Sequence, residues 1–519
     1  MESSHAELVA ELHRRRAALT DGERGEAVER QHRLGKLSAR ERIDLLVDEN
    51  GFREFGALVA AARSIPGSPP LDAPADGVVT GIATLDGRPV ALMSFDYTVF
   101  GGSNGIAGGL KVLRCIQTAI RDKIPLVMLL DGGGHRIQEG LDSHHFAMGF
   151  EIFQEMVNAS GFVPVVAVML GPGFGGPSNF AALADYVVMV RGTSTMGIAG
   201  PALVRAATGE QISKEDLGGA DVQATLGVTD LAVDTEVEAL NAVRVFLAYF
   251  PPSAAEPAPR DDDQGPGGDG RTLTDLVPAN TRIAYDVRDV IQIVADAGTT
   301  FEIKEKHAPN IVTALIRLGG RPVGVVANQP AHLGGALDSP ACEKAAHLVS
   351  MCDAFGLPLL FLVDVPGFLA GSESNTTQLA RRSGRILFEL GQATVPRYSV
   401  IMRKGYGAGY LAMCGGRSFN ADLALAWPTA EIAAMSVEGA VDIAYRREVE
   451  QAADPAAHRA ELIGRFRANI NAFVAAEGFG IDDLIDPAET REVLLDALSR
   501  APARHASRAP RKAHAISPI

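Results

Sequence analysis

Ile124-Pro125-Leu126-Val127-Met128-Leu129-Leu130-Asp131 returns further along the chain as Leu357-Pro358-Leu359-Leu360-Phe361-Leu362-Val363-Asp364, at an offset of 233 residues (357 − 124 = 233). A short apolar run that ends on Asp and leads into a glycine-rich turn is the pattern of a strand buried on both faces of a parallel sheet. On one side of it, Gly87-Arg88-Pro89-Val90 returns as Gly320-Arg321-Pro322-Val323 at the same offset. On the other, Val163-Pro164 and the turn Gly171-Pro172-Gly173-Phe174-Gly175-Gly176 align with Val395-Pro396 and Arg403-Lys404-Gly405-Tyr406-Gly407-Ala408, at an offset of 232. Three matched strand-and-turn units in the same order imply two similarly folded halves. Such a chain can hold two chemically related ligands in two related pockets.

At 519 residues the chain exceeds what one hydrophobic core supports, so two domains are expected. Apolar residues make up 47% and aromatics 6%, a profile that suits buried parallel strands covered by helices. The net charge of −15 argues against a broad nucleic-acid footprint, which needs a basic face to displace counterions. Cys115, Cys342, Cys352 and Cys414 form no CxxC pair, so neither a zinc ribbon nor a disulfide framework is indicated and a reducing cytoplasm fits best. The first twenty residues are charged and helical in pattern, and no apolar run is long enough for a membrane span.

Near the N-terminus, Ser38 with Glu41 three residues on marks a helix start. Residues 251–270 are rich in Pro, Gly and Asp and nearly empty of large apolar side chains, the composition of a flexible linker. The expected division is therefore a first domain over 1–250, a linker over 251–275 and a second domain over 276–519. Within each half, apolar runs alternate with amphipathic stretches such as Leu110 to Ile120, where Leu113, Ile116 and Ile120 share a face. This points to βαβ-like units rather than hairpins. From Arg459 the chain reads helical, and from Arg500 it becomes a short basic tail, read as a solvated end.

The glycine turns carry the chemistry. Asp131-Gly132-Gly133-Gly134-His135-Arg136 follows an apolar strand and precedes a plausible helix, so its backbone can approach a ligand closely and leave N–H donors free. A nucleotide loop would need G-x-G-x-x-G or GxxxxGK[ST], and neither occurs at these turns. An oxyanion hole, in which two N–H groups converge on one oxygen, suits the pattern better. Ordinary tight turns remain the plain alternative for any one of them, and repetition in both halves weighs against it.

At these residues the chain resembles the carboxyltransferase (β) subunits of biotin-dependent acyl-CoA carboxylases of the propionyl-CoA and acetyl-CoA type. The motifs that carry the likeness run nearly end to end: QHRLGKLSARERIDLLVDENGF from Gln31, FDYTVFGGSNG from Phe95, RIQEG from Arg136, KEDLGGA from Lys214, VGVVANQP from Val323, LDSPACEKAAHLVSMCDAFGLPLLFLVDVPGF from Leu337, RKGYGAGY from Arg403 and AWPTAEIAAMSVEGAV from Ala426. The resemblance implies an α/β fold of two crotonase-like domains, each a ββα superhelix. It implies an acyl-CoA thioester in the first half, its enolate oxygen held by N–H groups around Gly133, Gly134, Gly175 and Gly176. It implies carboxybiotin in the second half, its ureido oxygen held at Gly407, Ala408 and Gly409. Both partners pass through anions centred on a carbonyl oxygen, so positioning, water exclusion and two sets of donors suffice, and no catalytic triad is expected. In the family the pockets come from different subunits of a dimer, commonly within a hexamer. The biotin is carried by a separate carrier protein and charged by a biotin carboxylase, since the chain contains neither an Ala-Met-Lys-Met site nor a glycine-rich ATP-binding domain.

Other residues carry two readings. Lys36, Arg40 and Arg42 match the family's CoA-proximal segment and either meet CoA phosphates or form a solvated helix face. Tyr410 and Leu411 follow the biotin-side turn, where they line an acyl pocket or pack in the core. His135 stands where the family has a small residue and reads as a loop histidine bonded to nearby backbone. Asp131 and Asp364 read as turn caps, and His144-His145 lacks metal-ligand spacing. The chain departs from the family at Phe95, Gly173-Phe174, Gln223, Ala370 to Asn375 and Ala408-Gly409, which bears on pocket shape more than on backbone donors. The leading reading is carboxyl transfer from carboxybiotin to a short-chain acyl-CoA. The alternatives are the reverse, a decarboxylase or transcarboxylase acting on a malonyl-type CoA, and a non-catalytic paralogue subunit.

Overall fold

The computed structural model describes residues 4–61, 71–147, 149, 151–506 and 515–518. The chain forms two compact units, Met1–Glu256 and Pro257–Ile519. In the first, seven strands follow one another across a sheet in chain order: β1 (Phe52–Phe55), β2 (Val78–Leu85), β3 (Arg88–Phe95), β4 (Leu126–Leu130), β5 (Val165–Met169), β6 (Tyr186–Val190) and β7 (Leu231–Val233). The second repeats that order with β8 (Phe301–Ile303), β9 (Ile311–Leu318), β10 (Arg321–Asn328), β11 (Leu359–Val365), β12 (Arg397–Tyr406), β13 (Leu423–Ala426) and β14 (Asp483–Leu484). The short strand Glu431–Ala433 also pairs with β12.

Each sheet opens with an antiparallel meander and continues in parallel. The expectation of βαβ-like units in place of hairpins therefore fails at the start of both halves. The repeated Gly-Arg-Pro-Val motif opens the second strand of a two-residue hairpin, with Leu85 opposite Arg88 and Leu318 opposite Arg321. The turn residues are Asp86 and Gly87 in one unit and Gly319 and Gly320 in the other, all four with positive φ (50°, 75°, 60° and 71°). Positive φ at both central positions is what a turn matched to the strand twist requires.

Beyond the hairpins the sequence pattern and the structure agree. Every residue of β4 and of β11 is buried. The helix α1 (Ile106–Asp122) buries Val112, Cys115, Ile116 and Ala119, with Leu113 and Ile120 against the same core. The helix over Ala39–Leu46 starts at Ser38, whose Oγ accepts from Glu41 N (3.0 Å) while Glu41 Oε2 accepts from Ser38 N (2.7 Å). The Pro/Gly/Asp-rich segment is tied down where composition suggested a free tether. Ala254 N–H donates to Phe162 O in the first unit (2.8 Å). In the second, Asp261 N donates to Gly320 O and Gly267 N to Ala295 O (3.0 Å each), and Asp261 pairs with Arg317 at 2.8 Å. Main-chain bonds hold this stretch, and apolar composition does not register them. Of the basic tail, 507–514 and 519 lie outside the described residues.

The repeat extends to a buried lysine. In α1, Lys111 Nζ donates to Ala75 O (2.9 Å) and Val78 O (2.5 Å). In α3 (Ser339–Phe355), Lys344 Nζ donates to His307 O and Ile311 O (2.8 Å each). Burial pushes Lys111 down to about 8 and Lys344 down to about 7, from 10.5. Between about 7 and 10.5 an unfolded chain holds a proton on Lys344 that the folded chain releases, so this group makes stability rise with pH across that window. Urea midpoints at pH 7 and pH 9 should therefore separate less in Lys344→Met than in the parent chain; an unchanged separation would show that Lys344 stays charged when folded.

Candidate active site

Two turns converge in the first unit. After β4, Gly132 N–H donates to Pro172 O and Gly133 N–H to Gly101 O (3.0 Å each), while Gly134 O accepts from Asn104 N at 3.3 Å. The other turn begins with Pro172–Phe174, paired in parallel with Thr195–Gly197, and leads through Gly175 (φ 76°) into the short helix α2 (Gly176–Ala181). Gly134 and Gly176 lie against each other. A Cβ on Gly134 would come to 3.1 Å from Gly176 N, and one on Gly176 to 3.4 Å from Gly134 Cα. The N–H groups of Gly134 and Gly176 make no hydrogen bond to a described group, whereas Gly175 N–H donates to Gly197 O at 3.0 Å. Of the four glycines singled out in this half, Gly134 and Gly176 keep free donors. Gly133 and Gly175 are corrected to a shaping part, because their N–H groups are spent holding the turns.

The second unit repeats the approach. The chain leaves β11 through Pro366-Gly367 and leaves β12 into α4 (Gly407–Ala412). A Cβ on Gly409 would fall 2.8 Å from Gly367 Cα. Leu337 N donates to Gly367 O (3.0 Å) and Leu369 N to Leu337 O (2.8 Å), matching Asn104 N to Gly134 O and Arg136 N to Asn104 O in the first unit. Ala408 and Gly409 sit in the first turn of α4, where no helical carbonyl precedes them, and their N–H groups have no partner among the described residues. Gly407 takes φ 60° and passes 3.0 Å from Ala434 O at its Cβ position, so it sets the turn.

Gly367 was missed at the sequence level, although the 233-residue offset from Gly134 points straight to it. The counterpart of Gly176 is Gly409, at offset 233, and not Ala408. The offset passes from 232 to 233 here, where the pairing of β11 with β12 is irregular between Val363 and Val365.

The basic residues resolve differently from expectation. Lys36 Nζ lies 2.5 Å from Asp131 Oδ1, buried, with the Tyr97 ring 4.0 Å away. Arg42, fully buried, bridges Asp131 (2.7 Å) and Glu236 (2.6 Å). Gln31 Nε2 adds a third donor to Asp131 at 3.0 Å. Arg40 pairs with Glu54 at 2.9 Å and donates to Leu19 O. Lys36 and Arg42 are buried against carboxylates of their own unit, which fits neither a CoA-phosphate contact nor a solvated face, whereas Arg40 is half-buried beside Glu54. Asp131 is thus an ion-pair anchor at the end of β4, not a turn cap. Asp364 does the same work at β11, bound by Arg403 Nε (2.8 Å) and Lys404 Nζ (3.2 Å).

Tyr410 packs against glycines of its own unit. Its ring fills the space over Gly405, Gly415 and Gly416, where any Cβ would strike it, and burial pushes its phenol up to about 12. It braces α4 from behind, whereas Leu411 is exposed. The side chains of His144 and His145 lie outside the described part of the structure.

Beside the Gly134–Gly176 approach is a cavity of about 310 Å³, walled by Phe95, Phe146, Phe153, Phe180 and Pro177 and reached by His135. Among the described residues the His135 side chain shows no bond to backbone, and its Nε2 is buried without a hydrogen-bond partner. Arg136 is engaged by Asp76 and Glu139 at 2.7 Å each. Those carboxylates in turn accept from Gly108 N and Ile106 N at the start of α1.

Two like units, each ending its central strands in a close pair of glycines with free N–H groups, agree with a carboxyl transferase domain, whose family model matches residues 30–516. The chain belongs to the carboxyl transferase domain family. The methylmalonyl-CoA carboxyltransferase 12S subunit of Propionibacterium freudenreichii subsp. shermanii is 40% identical over 514 residues, 98% of this chain and 97% of that protein. The biotin-dependent acetyl-/propionyl-coenzyme A carboxylase beta5 subunit of Mycobacterium tuberculosis (strain CDC 1551 / Oshkosh) is 41% identical over 529 residues, 98% of this chain and 95% of that protein. Among solved structures, the transcarboxylase 12S hexamer with methylmalonyl-coenzyme A and methylmalonic acid bound superimposes with a TM-score of 0.93 at 38% identity, covering 100% of this chain and 99% of that one. The fold is accordingly the pair of crotonase-like domains that the resemblance implied.

In this carboxyl transferase chain the Asp131 carboxylate compensates two buried cations. Asp131→Asn should lower the stability of the first unit by about 3–5 kcal/mol, because a charge left unpaired in the interior is strongly destabilising. Urea unfolding checks this, and a loss below about 1 kcal/mol would mean that Lys36 and Arg42 find other partners.

Proposed function

We propose that this chain is the carboxyltransferase subunit of a biotin-dependent acyl-CoA carboxylase, transferring the carboxyl group from carboxybiotin on a carrier protein to the α-carbon of a short-chain acyl-CoA. The observation that carries the reading is the duplicated glycine pair, Gly134 with Gly176 and Gly367 with Gly409, each beside unpaired main-chain donors. The donors are neutral, and the neighbouring cations are committed to Asp131 and Asp364. Such a site favours a delocalised oxyanion that forms during reaction over a permanently charged ligand.

Gly134 and Gly176 N–H would hold the thioester oxygen as the α-C–H bond breaks and charge moves onto that oxygen. Each donor is worth roughly 3 kcal/mol in a water-poor site. The resulting enolate carbon forms the new C–C bond to the carboxyl carbon. In the second unit, Ala408 and Gly409 N–H fit the ureido oxygen of biotin, and the approach of Gly409 to Gly367 leaves no room for a Cβ. Carboxybiotin, when bound, supplies the carboxyl group and the base. A biotin carboxylase and a biotin carboxyl carrier protein are the partners this reading requires, with a dimer-based hexamer as the assembly. The four cysteines are free and buried, in keeping with a place in the cytoplasm.

The test pairs turnover with binding. Gly409→Pro should reduce carboxyl transfer by about 100-fold or more, while the affinity for acyl-CoA, measured by calorimetry, stays within about threefold. Parallel loss of both would mean that the two clefts are not separate sites. If the parent chain with carrier and biotin carboxylase carboxylates no acyl-CoA, and takes no carboxyl group from a malonyl-type thioester, the assignment falls.

A further inference from the structure

We propose that Ser178 is a positioning residue for the oxygen site of the first unit: its hydroxyl ties α2 to the neighbouring strand pair and so narrows the aim of the Gly176 N–H. This rests on the acyl-CoA reading of that unit and names the side chain on which the strength of its donor depends.

The need for such a tie follows from the local sequence. Gly176 opens α2 directly after Gly175, which takes φ 76°. Two glycines in succession make the most permissive link a chain can contain, and a helix hung on them can swing. A main-chain donor serves a developing oxyanion well only when it is held to within about 0.5 Å of its productive place.

Ser178 spans that link. Its Oγ donates to Gly173 O and accepts from Gly197 N at 2.8 Å. Gly173 and Gly197 lie on the paired strands Pro172–Phe174 and Thr195–Gly197. On the strand side of the link, Gly175 N–H is already fixed to Gly197 O at 3.0 Å. The hydroxyl therefore closes a short ring from α2 back to both strands, with Gly175 and Gly176 inside it. Ser178 is only 3% exposed, and its proton and the N–H it accepts are both committed to main-chain partners. It is thus placed to hold the turn and not to attack or bind a ligand.

The second unit braces its donors by other means. At the offset of 233 that carries Gly176 to Gly409, Ser178 falls on Leu411, which is exposed and has no hydroxyl. There the Tyr410 ring packs behind α4, over Gly405, Gly415 and Gly416, whereas the same offset puts Pro177 at the corresponding place in the first unit. Turn and helix form in both units, so the serine supplies placement more than fold. Without its hydroxyl the Gly176 donor persists and is less narrowly aimed.

Acetoacetyl-CoA tests this in the full chain without relying on turnover, because its enolate absorbs in the near ultraviolet and carries the kind of oxygen anion that the site would hold. Bound to the parent chain, the thioester should ionise at a lower pH than it does free in solution. In Ser178→Ala the midpoint of the bound thioester should rise by about one pH unit, a tenfold loss of preference for the anion. The affinity for acetyl-CoA, measured by calorimetry, should stay within about threefold, since the neutral thioester asks less of the donor. Ser178→Thr and Ser178→Val are alike in shape and differ in the hydroxyl: Ser178→Thr should keep the parent midpoint and Ser178→Val should not. Ile116→Val, a core change in α1, controls for general loosening and should leave the midpoint unmoved. The proposal is overturned by an unmoved midpoint in Ser178→Ala, by equal midpoints in Ser178→Thr and Ser178→Val, or by an equal rise in Ile116→Val. A parent chain that binds acetoacetyl-CoA without easing its ionisation, or does not bind it, overturns the acyl-CoA reading of the first unit and this inference with it, a result distinct from failure in the variants alone.

Discussion

The buried carboxylates at the ends of the two central strands are what the rest of the architecture hangs on. Asp131 closes β4 and gathers Lys36, Arg42 and Gln31; Asp364 sits near the end of β11 and gathers Arg403 and Lys404. A charge removed from water in this way is tolerated only when it is fully paired, and the pairing fixes the backbone that carries it. Through Arg42 the first anchor reaches Glu236 on the helix Glu236–Tyr249. Through Arg403 the second takes up the carbonyls of Pro278, Asn280 and Ile283. The glycine turns start next to these anchors, so the donors inherit a rigid base without any side chain of their own.

Much of this was open to a reader of the sequence, because burial and turn geometry leave marks in residue type. The repeated apolar runs became β4 and β11, the Ser38 and Glu41 pair became a helix cap, and the glycines at 134, 176 and 409 met across clefts. What escaped had no local mark. Pairing of Lys36 or Arg42 with Asp131 joins residues about ninety positions apart, and a basic helix looks the same whether its charges face solvent or a buried acid. The hairpins at the start of each sheet were concealed in the same way: Asp86-Gly87 and Gly319-Gly320 are strong turn signals, yet the parallel pattern that follows them dominates the periodicity. Gly367 stands at the same offset of 233 residues as the strand before it; what the irregular strand pairing displaced by one residue is the counterpart of Gly176, which is Gly409 and not Ala408.

The two copies have kept some features and abandoned others. Retained are the hairpin, the helix with its buried lysine, the strand-end acid and the close glycine pair. Changed are the partners around them: Asn104 and His135 in one unit correspond to Leu337 and Phe368 in the other. The acid in the first unit is bound by residues that precede the sheet, while the acid in the second is bound by the strand beside it. The turns with their free main-chain donors are therefore the constant part of the internal repeat, and the side chains beside them are the variable part.

Because the donors belong to the main chain, no side-chain replacement at neighbouring positions can remove them so long as the turns persist. The residue at 135 is held by its backbone pairing with Asn104 and is otherwise free to change, and Phe368 shows that the same scaffold accepts a different side chain there. The main-chain donors and the side chains around them are thus separable parts of the polypeptide. On this plan a side chain beside a turn can be exchanged without dismantling the donors that the turn presents.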